Sequence, residues 1–156
     1  MTQIHTVTLN PVIDLIYETD RFEKGTTFRC DRYEQIPAGK GINVSYALSY
    51  LGEPSHAYLL IGEPELSLFG QACQERGIQF HPFAGPFPTR CHCTILERET
   101  GFVTHVQTKG MLAPVEAYEI LRHVLEQQIF LRNITSKPRT KKYNYWIPID
   151  NITGQL

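Results

Sequence analysis

Residues 38–43 form the first segment of this sequence whose residue types and spacing could do chemistry. They read Ala38-Gly39-Lys40-Gly41-Ile42-Asn43 and lead directly into an apolar-periodic segment that predicts a helix. Glycines allow backbone N–H groups to approach a ligand closely, and the first N–H groups of a helix have no partners within it. The segment therefore suits an anion or a group of hydroxyls. A tight turn needed only to start the helix explains these residues equally well.

This glycine segment is not a Walker A phosphate loop. That motif requires a Ser or Thr directly after its lysine, where this chain has Gly41. The segment therefore does not predict a nucleotide site of that type.

Asp14 is the carboxylate best placed to work with the glycine segment. It follows Asn10-Pro11, just beyond the end of a predicted strand at residues 4–9. Ligand crevices form at the carboxyl ends of strands in open α/β sheets. The residues around Asp14 are apolar, so its carboxylate must find polar partners. Two interpretations stand: Asp14 caps a turn, or it accepts hydrogen bonds from sugar hydroxyls.

The elements that position these residues follow from hydrophobic periodicity. The predicted strands are 4–9, 15–19, 26–36, 57–61, 78–83, 94–98 and 102–106, and the predicted helices are 42–51, 65–76 and 114–128. Alternation of strands and helices favours an α/β layer fold with a partly parallel sheet. The hairpin-like regions 15–36 and 94–106 fit an antiparallel flap beside that sheet.

The first two predicted helices each have an apolar face. These faces are Ile42, Ala47, Leu48 and Leu51 in the first helix and Leu66, Phe69, Ala72 and Cys73 in the second. Gly52 is a natural residue to end the first helix, and Pro54 prevents its continuation.

Length and composition are those of one ordinary globular domain, with 156 residues, 42% hydrophobic and 20% charged. The sequence shows no apolar run long enough for a membrane span and no signal peptide, which predicts a cytoplasmic protein. The four cysteines, Cys30, Cys73, Cys91 and Cys93, lack CxxC spacing, so no disulfide framework or zinc ribbon is indicated. Cys91 and Cys93 share one strand face, where small buried hydrophobes are favoured over a metal site.

Two motifs together resemble the PfkB (ribokinase-like) carbohydrate kinases, specifically their 1-phosphofructokinase and tagatose-6-phosphate kinase branch. The segment Thr6–Asp14 is similar to the opening strand of that family, and Ala38–Ser45 is similar to its Gly-Gly-Lys-Gly-x-Asn signature. The segment from Gly25 to Arg29, which fills the space between them, and Pro88-Thr89-Arg90 also match. The resemblance covers roughly residues 4–129.

The resemblance implies a ribokinase-like α/β/α layer fold with a partly parallel sheet and a small antiparallel β lid. Residues 1–129 would be the sugar-binding N-terminal half of the kinase domain, so the fold would be truncated. The strands within 15–36 and 94–106 would be the lid, which in the family covers the sugar and often pairs subunits. A homo-oligomer formed through the lid or through an exposed sheet edge is expected.

The resemblance also implies the substrate-binding residues. Asp14 and Asn43 would hydrogen-bond sugar hydroxyls, with the Gly39 backbone close by. Ala38 departs from the family pattern, which has a glycine there; alanine favours negative φ, so we expect a slightly altered turn.

The basic side of the implied pocket would hold the phosphate already on the substrate. It would consist of Lys40, Arg29 and Arg90, and arginine suits this role because its planar guanidinium binds phosphate bidentately. Arg29 and Arg90 lie in strand-like segments, so solvated surface charges remain the alternative for both.

No catalytic residue and no metal ligand is assigned in this chain. Phosphoryl transfer needs a base and a site for nucleotide with Mg²⁺. The resemblance implies ATP and Mg²⁺, but the family's Gly-Ala-Gly-Asp turn, which supplies the base, does not occur in the sequence. Asp150 has no glycine turn around it and is not assigned as a base. The chain is therefore expected to be inactive alone.

Residues 130–156 differ from the rest of the chain. They carry a net charge of +4 against −5 for the first 129 residues, and their apolar periodicity is weak. Our hypothesis is an atypical, frameshifted end, which reading the gene in the other frames tests. The basic run Lys137–Lys142 beside Tyr143 and Trp146 could bind nucleic acid, but a solvated tail is favoured.

Two functions follow from these expectations. The first is a sugar-phosphate kinase acting on substrates of the fructose-1-phosphate or tagatose-6-phosphate type, present as an incomplete half. The alternative is a non-catalytic sugar-phosphate-binding or regulatory subunit. Both have a small-molecule sugar phosphate as partner, and neither involves a membrane.

Overall fold

The computed structural model describes residues 4–30 and 32–108, together with the single positions 115, 118, 119, 122 and 126. Strands and helices alternate in the order of an α/β fold. The elements are β1 (Ile4–Thr8), β2 (Val12–Thr19), β3 (Arg32–Ala38), α1 (Lys40–Tyr50), β4 (Ser55–Gly62), a 3₁₀ turn (Glu63–Glu65), α2 (Leu66–Gln74), β5 (Gln79–Gly85), β6 (Arg90–Glu97) and β7 (Val103–Gln107).

The main sheet consists of β1, β4 and β5, paired in parallel with β4 in the centre. One face of β4 contributes Ala57, Leu59 and Ile61 to the core that α1 and α2 cover. The other face contributes Tyr58 and Leu60 to a second, smaller apolar cluster. Because both faces of β4 are covered, the strand is a nearly continuous apolar run, as is usual for parallel sheets. The strand predicted at residues 57–61 is confirmed by β4.

The second sheet has four strands in the order β3-β2-β6-β7. Its two outer pairs are antiparallel, but the central pair, β2 and β6, is parallel. The sequence predicted a purely antiparallel flap, because local hairpin signals reveal only pairs that are close in the chain. The centre of the second sheet pairs strands that lie far apart in sequence.

The strand boundaries around the glycine segment differ from the predicted ones. β2 begins at Val12 instead of residue 15, and residues 26–30 are coil, not strand. β3 extends through Pro37 and Ala38, so only Gly39 separates β3 from α1. Pairing explains the extension, because Val12 lies opposite Ala38, and both side chains are buried. The predicted turn at residues 24–25 is confirmed, with Gly25 at φ 82°.

The predicted apolar face of α1 is confirmed at Ile42, which is buried, and is wrong at Ala47 and Leu51. Ala47 and Leu51 are exposed, and the residues that α1 buries are Gly41, Ile42 and Ser45. A Cβ at Gly41 would lie 2.2 Å from the carbonyl oxygen of Val7, so α1 packs too closely on β1 for large side chains. The predicted face of α2 is confirmed at Phe69, Ala72 and Cys73, which are buried.

Most of the predicted helix 114–128, and all of residues 129–156, lie outside the described residues. The five described positions between 115 and 126 are helical. Tyr118 packs against Tyr58 and Leu60 on the main sheet. Neither α1 nor α2, the helices with described bounds, has the length and apolar character needed to span a bilayer.

Candidate functional site

The candidate site lies where the two sheets meet, at the end of the second sheet marked by Val12. Val12 pairs with Ala38 of β3 on one side and with Arg90 of β6 on the other. These three paired residues form one row across the sheet, which brings together the turn at Gly39, the β1–β2 connection and the start of β6. We call this the near end of the second sheet, and the opposite end, marked by Thr19 and Glu97, the far end.

The glycines of the turn are required by the fold as well as by any ligand. Gly39 has φ 145°, and a Cβ there would lie 2.7 Å from Cγ2 of Thr8. The N–H of Ile42 donates to Oγ1 of Thr8 at 2.8 Å, so one donor at the start of α1 is already satisfied by β1. A ligand at this turn must therefore use the backbone of residues before Ile42.

Asp14 is the third residue of β2 and is half-buried, with 34% of its side chain exposed. It alternates with Ile13 and Leu15, which face the core of the main sheet, and so points to the opposite face of the second sheet. The turn-capping interpretation is wrong, because the residue lies inside a strand. Oδ1 of Asp14 lies 3.5 Å from Nδ1 of His92.

Arg90 is fixed across the β1–β2 connection. Its Nη2 donates to the carbonyl oxygen of Asn10 at 3.2 Å, and its Nε donates to that of Pro11 at 3.4 Å. The interpretation of Arg90 as a solvated surface charge is therefore wrong. The guanidinium is a partly buried cation at the near end, on the same row as Val12 and Ala38.

Lys40 and Asn43 lie in the first turn of α1 and are exposed. They are close to Gly39 because they follow it directly in the helix, and the N–H of Asn43 donates to the Gly39 carbonyl oxygen at 2.9 Å. The structure therefore brings five of the six predicted residues to the near end: Asp14, Gly39, Lys40, Asn43 and Arg90.

Arg29 is the exception. It lies in coil, and not in the strand that the sequence predicted, and its side chain is exposed. The preceding residue, Phe28, packs on Phe22 with ring centroids 5.0 Å apart, and the N–H of Phe22 donates to the Glu97 carboxylate. Glu97 ends β6 at the far end. Arg29 is thus placed at the far end, away from Arg90.

His92 is a site residue that sequence reasoning missed. Desolvation by burial and the nearby Arg90 guanidinium lower its pKa, and the Asp14 carboxylate opposes them. The same polar face continues along β6 and β7, where Thr94 Oγ1 and His105 Nδ1 share a hydrogen bond of 3.0 Å. The alternation around His92 indicates its face, but only the parallel pairing of β2 with β6 reveals that this face is shared with Asp14.

A shallow groove runs from the near end along the carboxyl ends of β1 and β4. Asn10, Pro11, Gly62, Thr89 and Arg90 are among its lining residues. Its wall is held by two hydrogen bonds: the Gly62 N–H donates to Thr89 Oγ1 at 3.0 Å, and the Thr89 N–H donates to the Glu65 carboxylate at 3.2 Å. The groove continues the site towards the edge where ligands bind in α/β sheets.

Cys91 and Cys93 differ from the expectation that both are buried. Cys73 is buried, and desolvation raises its pKa to about 11, so it remains a thiol. Cys91 is exposed and Cys93 is half-buried. Within the described part of the chain, no group of three His, Cys, Asp or Glu side chains is arranged to hold a metal ion.

The near end of this α/β fold thus has a carboxylate and a cation beside a glycine-flanked helix start, groups of the kinds that bind hydroxyls and anions. The model for the pfkB family of carbohydrate kinases matches residues 6–128, and this chain belongs to that family.

Similar proteins agree with this membership. The 1-phosphofructokinase of Xanthomonas campestris pv. campestris is 31% identical over 109 residues, which make up 70% of this chain and 34% of that protein. The 1-phosphofructokinase of Vibrio cholerae is 30% identical over 130 residues, which make up 80% of this chain and 40% of that protein. The chain therefore spans between about a third and two fifths of these relatives.

Solved structures show the same fold. Phosphofructokinase-2 from Escherichia coli in complex with fructose-6-phosphate matches with a TM-score of 0.74 at 23% identity, over 81% of this chain and 42% of that one. Ribokinase from Thermotoga maritima matches with a TM-score of 0.56 at 21% identity, over 69% and 36% of the two chains. The ribokinase-like prediction of the fold is confirmed.

Proposed function

We propose that this chain binds a phosphorylated ketohexose at the near end of the second sheet and does not transfer a phosphoryl group by itself. The pairing of Val12 with both Ala38 and Arg90 carries this proposal, because it brings the glycine turn, the carboxylate and the arginine to one place. Membership of the family alone specifies neither a ligand nor the residues that hold it, and the proposed site specifies both.

The hydroxyl side of the proposed site consists of Asp14, Asn43 and the Gly39 backbone. An ionised carboxylate only accepts hydrogen bonds, whereas an amide side chain both donates and accepts. Asp14 and Asn43 together therefore match adjacent hydroxyls, each of which is a donor and an acceptor. The half-buried environment of Asp14 strengthens these bonds relative to bulk water.

The phosphate side consists of Arg90 and Lys40. Arg90 is held by two backbone carbonyl oxygens, so its charge is in place before a ligand arrives. Lys40, at the first residue of α1, adds a second cation beside the start of the helix. Arg29 is not included, because its coil packs at the far end.

The relatives favour fructose-1-phosphate as the ligand. The curated proteins similar to this chain are named 1-phosphofructokinase. Tagatose-6-phosphate, expected from the resemblance, and fructose-6-phosphate, present in a structure with the same fold, are the closest comparison ligands.

ATP and Mg²⁺ belong to the chemistry of the family, and the described residues of this chain do not supply the donor set that they need. Magnesium bound with nucleotide is held by carboxylates, and phosphoryl transfer also needs a base near the accepting hydroxyl. In the described ranges no cluster of three potential metal ligands is present, and the whole sequence lacks Gly-Ala-Gly-Asp. We derive no step through ATP.

We further propose that the chain is cytoplasmic and that it self-associates through the second sheet. Phe102, Val103, Val106 and Tyr33 of this sheet and its β6–β7 turn are exposed apolar side chains. Exposed apolar surface of this kind is typical of interfaces. Light scattering at micromolar concentration is expected to show a dimer or larger species; a monomer contradicts this part of the proposal.

Calorimetric titration of the 156-residue chain tests the proposed function. We expect fructose-1-phosphate to bind with a dissociation constant below about 1 mM, the upper end of ordinary substrate affinities. Mg-ATP is expected not to bind. Absence of binding by all three sugar phosphates overturns the proposed site, and turnover by the isolated chain overturns the inference that it is inactive alone.

A further inference from the structure

His92 lies beside Asp14 because β2 and β6 pair in parallel. Its backbone is the register partner of Asp14, and its Nδ1 lies 3.5 Å from Asp14 Oδ1. The imidazole is largely enclosed, with 13% of the side chain exposed. Arg90 precedes it by two residues on the same face, and Gln107 of β7 is its partner on the other side.

The chemistry of the pair determines which nitrogen carries the proton. An ionised carboxylate is only an acceptor, and a neutral imidazole has one N–H donor. An attractive contact with Asp14 therefore requires the proton on Nδ1 and leaves Nε2 as an acceptor. Protonating Nε2 as well would place a buried cation near Arg90, and burial and Arg90 both lower the pKa of His92.

Two observations distinguish this pair from ordinary packing. His92 contacts the Asp14 carboxylate, with its Nδ1 3.5 Å from Oδ1. Among the described residues, Nε2 of His92 is buried and has no hydrogen-bond partner. Leaving a buried polar atom unpaired costs free energy that an apolar side chain would avoid. The unpaired Nε2 of His92 thus costs folding free energy, while Nδ1 of the same ring contacts the Asp14 carboxylate.

We propose that His92 is a positioning residue whose Nδ1–H holds the Asp14 carboxylate in the orientation that accepts hydrogen bonds from ligand hydroxyls. The distance of 3.5 Å is longer than an ordinary hydrogen bond. Such contacts are often long in free proteins and tighten when the ligand binds. This inference rests on the proposed sugar-phosphate site and deepens it by assigning a residue that acts through Asp14.

Two substitutions separate positioning from packing. His92→Asn keeps an N–H donor close to the place of Nδ1, whereas His92→Leu keeps volume and removes the donor. We expect His92→Leu to weaken fructose-1-phosphate binding about tenfold, the effect of losing a hydrogen bond to a charged group. His92→Asn is expected to stay within about twofold of wild type, since the donor is retained. Inorganic phosphate, which does not need the hydroxyl side, is expected to bind all three proteins equally.

Cys93→Ala is the matched control, because Cys93 follows His92 on β6 but lies on the opposite face of the sheet. It is expected to bind fructose-1-phosphate as wild type does. Equal weakening by the Leu and Asn variants, or weakened phosphate binding in His92→Leu, overturns the positioning role.

Imidazole ¹⁵N spectra of the unliganded wild-type chain test the pair independently of any ligand. We expect the neutral Nδ1–H form of His92, converting towards the Nε2–H form in Asp14→Asn. An Nε2–H form in wild type overturns the inference even if sugar phosphate binds. Failure of wild type to bind any sugar phosphate overturns the proposed function, and the spectra then still decide whether His92 and Asp14 form the pair.

Discussion

The two ends of the second sheet each carry an acid beside a base, and they differ in how fully those groups satisfy one another. At the far end, Arg98 contacts the Asp20 carboxylate at 2.7 and 3.0 Å, with 55% and 71% of the side chains exposed. At the near end, Asp14 and His92 lie 3.5 Å apart, with 34% and 13% exposed. The better geometry is therefore at the more exposed end.

This difference in exposure and pairing indicates which of the two acid–base pairs is available to bind a ligand. An exposed ion pair contributes only about 0–1 kcal/mol and has no unmet requirement. The near-end groups are removed from water without being fully paired, so they gain from a ligand that completes their hydrogen bonds. Arg90 adds a cation that is already fixed by backbone carbonyl oxygens. Half-buried polar groups whose hydrogen bonds are incomplete therefore indicate the candidate site better than a short distance between two exposed charged groups does.

The largest expected effect is on stability and compares a glycine at each end. Gly41→Ala is expected to lower the free energy of unfolding by about 3 kcal/mol, because the new Cβ would meet the Val7 carbonyl oxygen. Gly101→Ala, in the far-end turn with φ 70° and open space around it, is expected to cost only about 1 kcal/mol. Urea unfolding of both variants measures the difference. Equal costs would mean that α1 does not pack closely on β1.

The next effect concerns the two aspartates of β2 and its following turn. Asp14→Asn is expected to weaken fructose-1-phosphate binding about thirtyfold, because hydroxyl donors lose a charged acceptor. Asp20→Asn, at the far end, is expected to leave binding within about twofold, since its carboxylate is exposed and already paired. Calorimetric titration of both variants decides between the ends. A similar loss in both would remove the distinction drawn between them.

Arg90, the first residue of β6, and Arg98, directly after its last residue, offer a second matched pair. Arg90→Gln is expected to weaken inorganic phosphate and fructose-1-phosphate binding about tenfold, because a fixed cation is removed. Arg98→Gln lies at the far end and is expected to change neither affinity by more than about twofold. The same titrations measure both. If Arg98→Gln proved the more harmful variant, the phosphate side of the site would belong at the far end.

The smallest expected effect is on the pKa of His92. We expect it to lie below the ordinary value of 6.5, to rise in Arg90→Gln and to fall further in Asp14→Asn, following the charges that act on it. Because the folded-state pKa is lowered, the unfolded chain binds more protons below pH 6.5, and the stabilisation present above that pH is lost as the pH falls. NMR titration of the imidazole measures each shift. A pKa above 6.5 in wild type would contradict the burial of the ring.

Local patterns predicted the parts of the fold that depend on neighbouring residues. The apolar run at 57–61 predicted β4, and the spacing of Phe69, Ala72 and Cys73 predicted the buried face of α2. The face of α1 was predicted correctly at Ile42 but not at Gly41 and Ser45. These small residues are buried because α1 packs closely on β1, and an apolar pattern does not reveal them. Five of the six residues that the resemblance implied, from two local motifs and one arginine, lie at the near end.

The sequence by itself determined which chemical groups the proposed site contains: a carboxylate at Asp14, an amide at Asn43, and a turn that only residues without a Cβ can form at 39 and 41. Only the tertiary structure decided which groups share that site. It placed His92 beside Asp14 through a parallel pairing of strands far apart in the chain, and it placed Arg29 at the far end through the contacts of Phe22 with Phe28 and Glu97. The physical reason is that register between distant strands is set by burial and by the packing of both sheets, and no local pattern contains it.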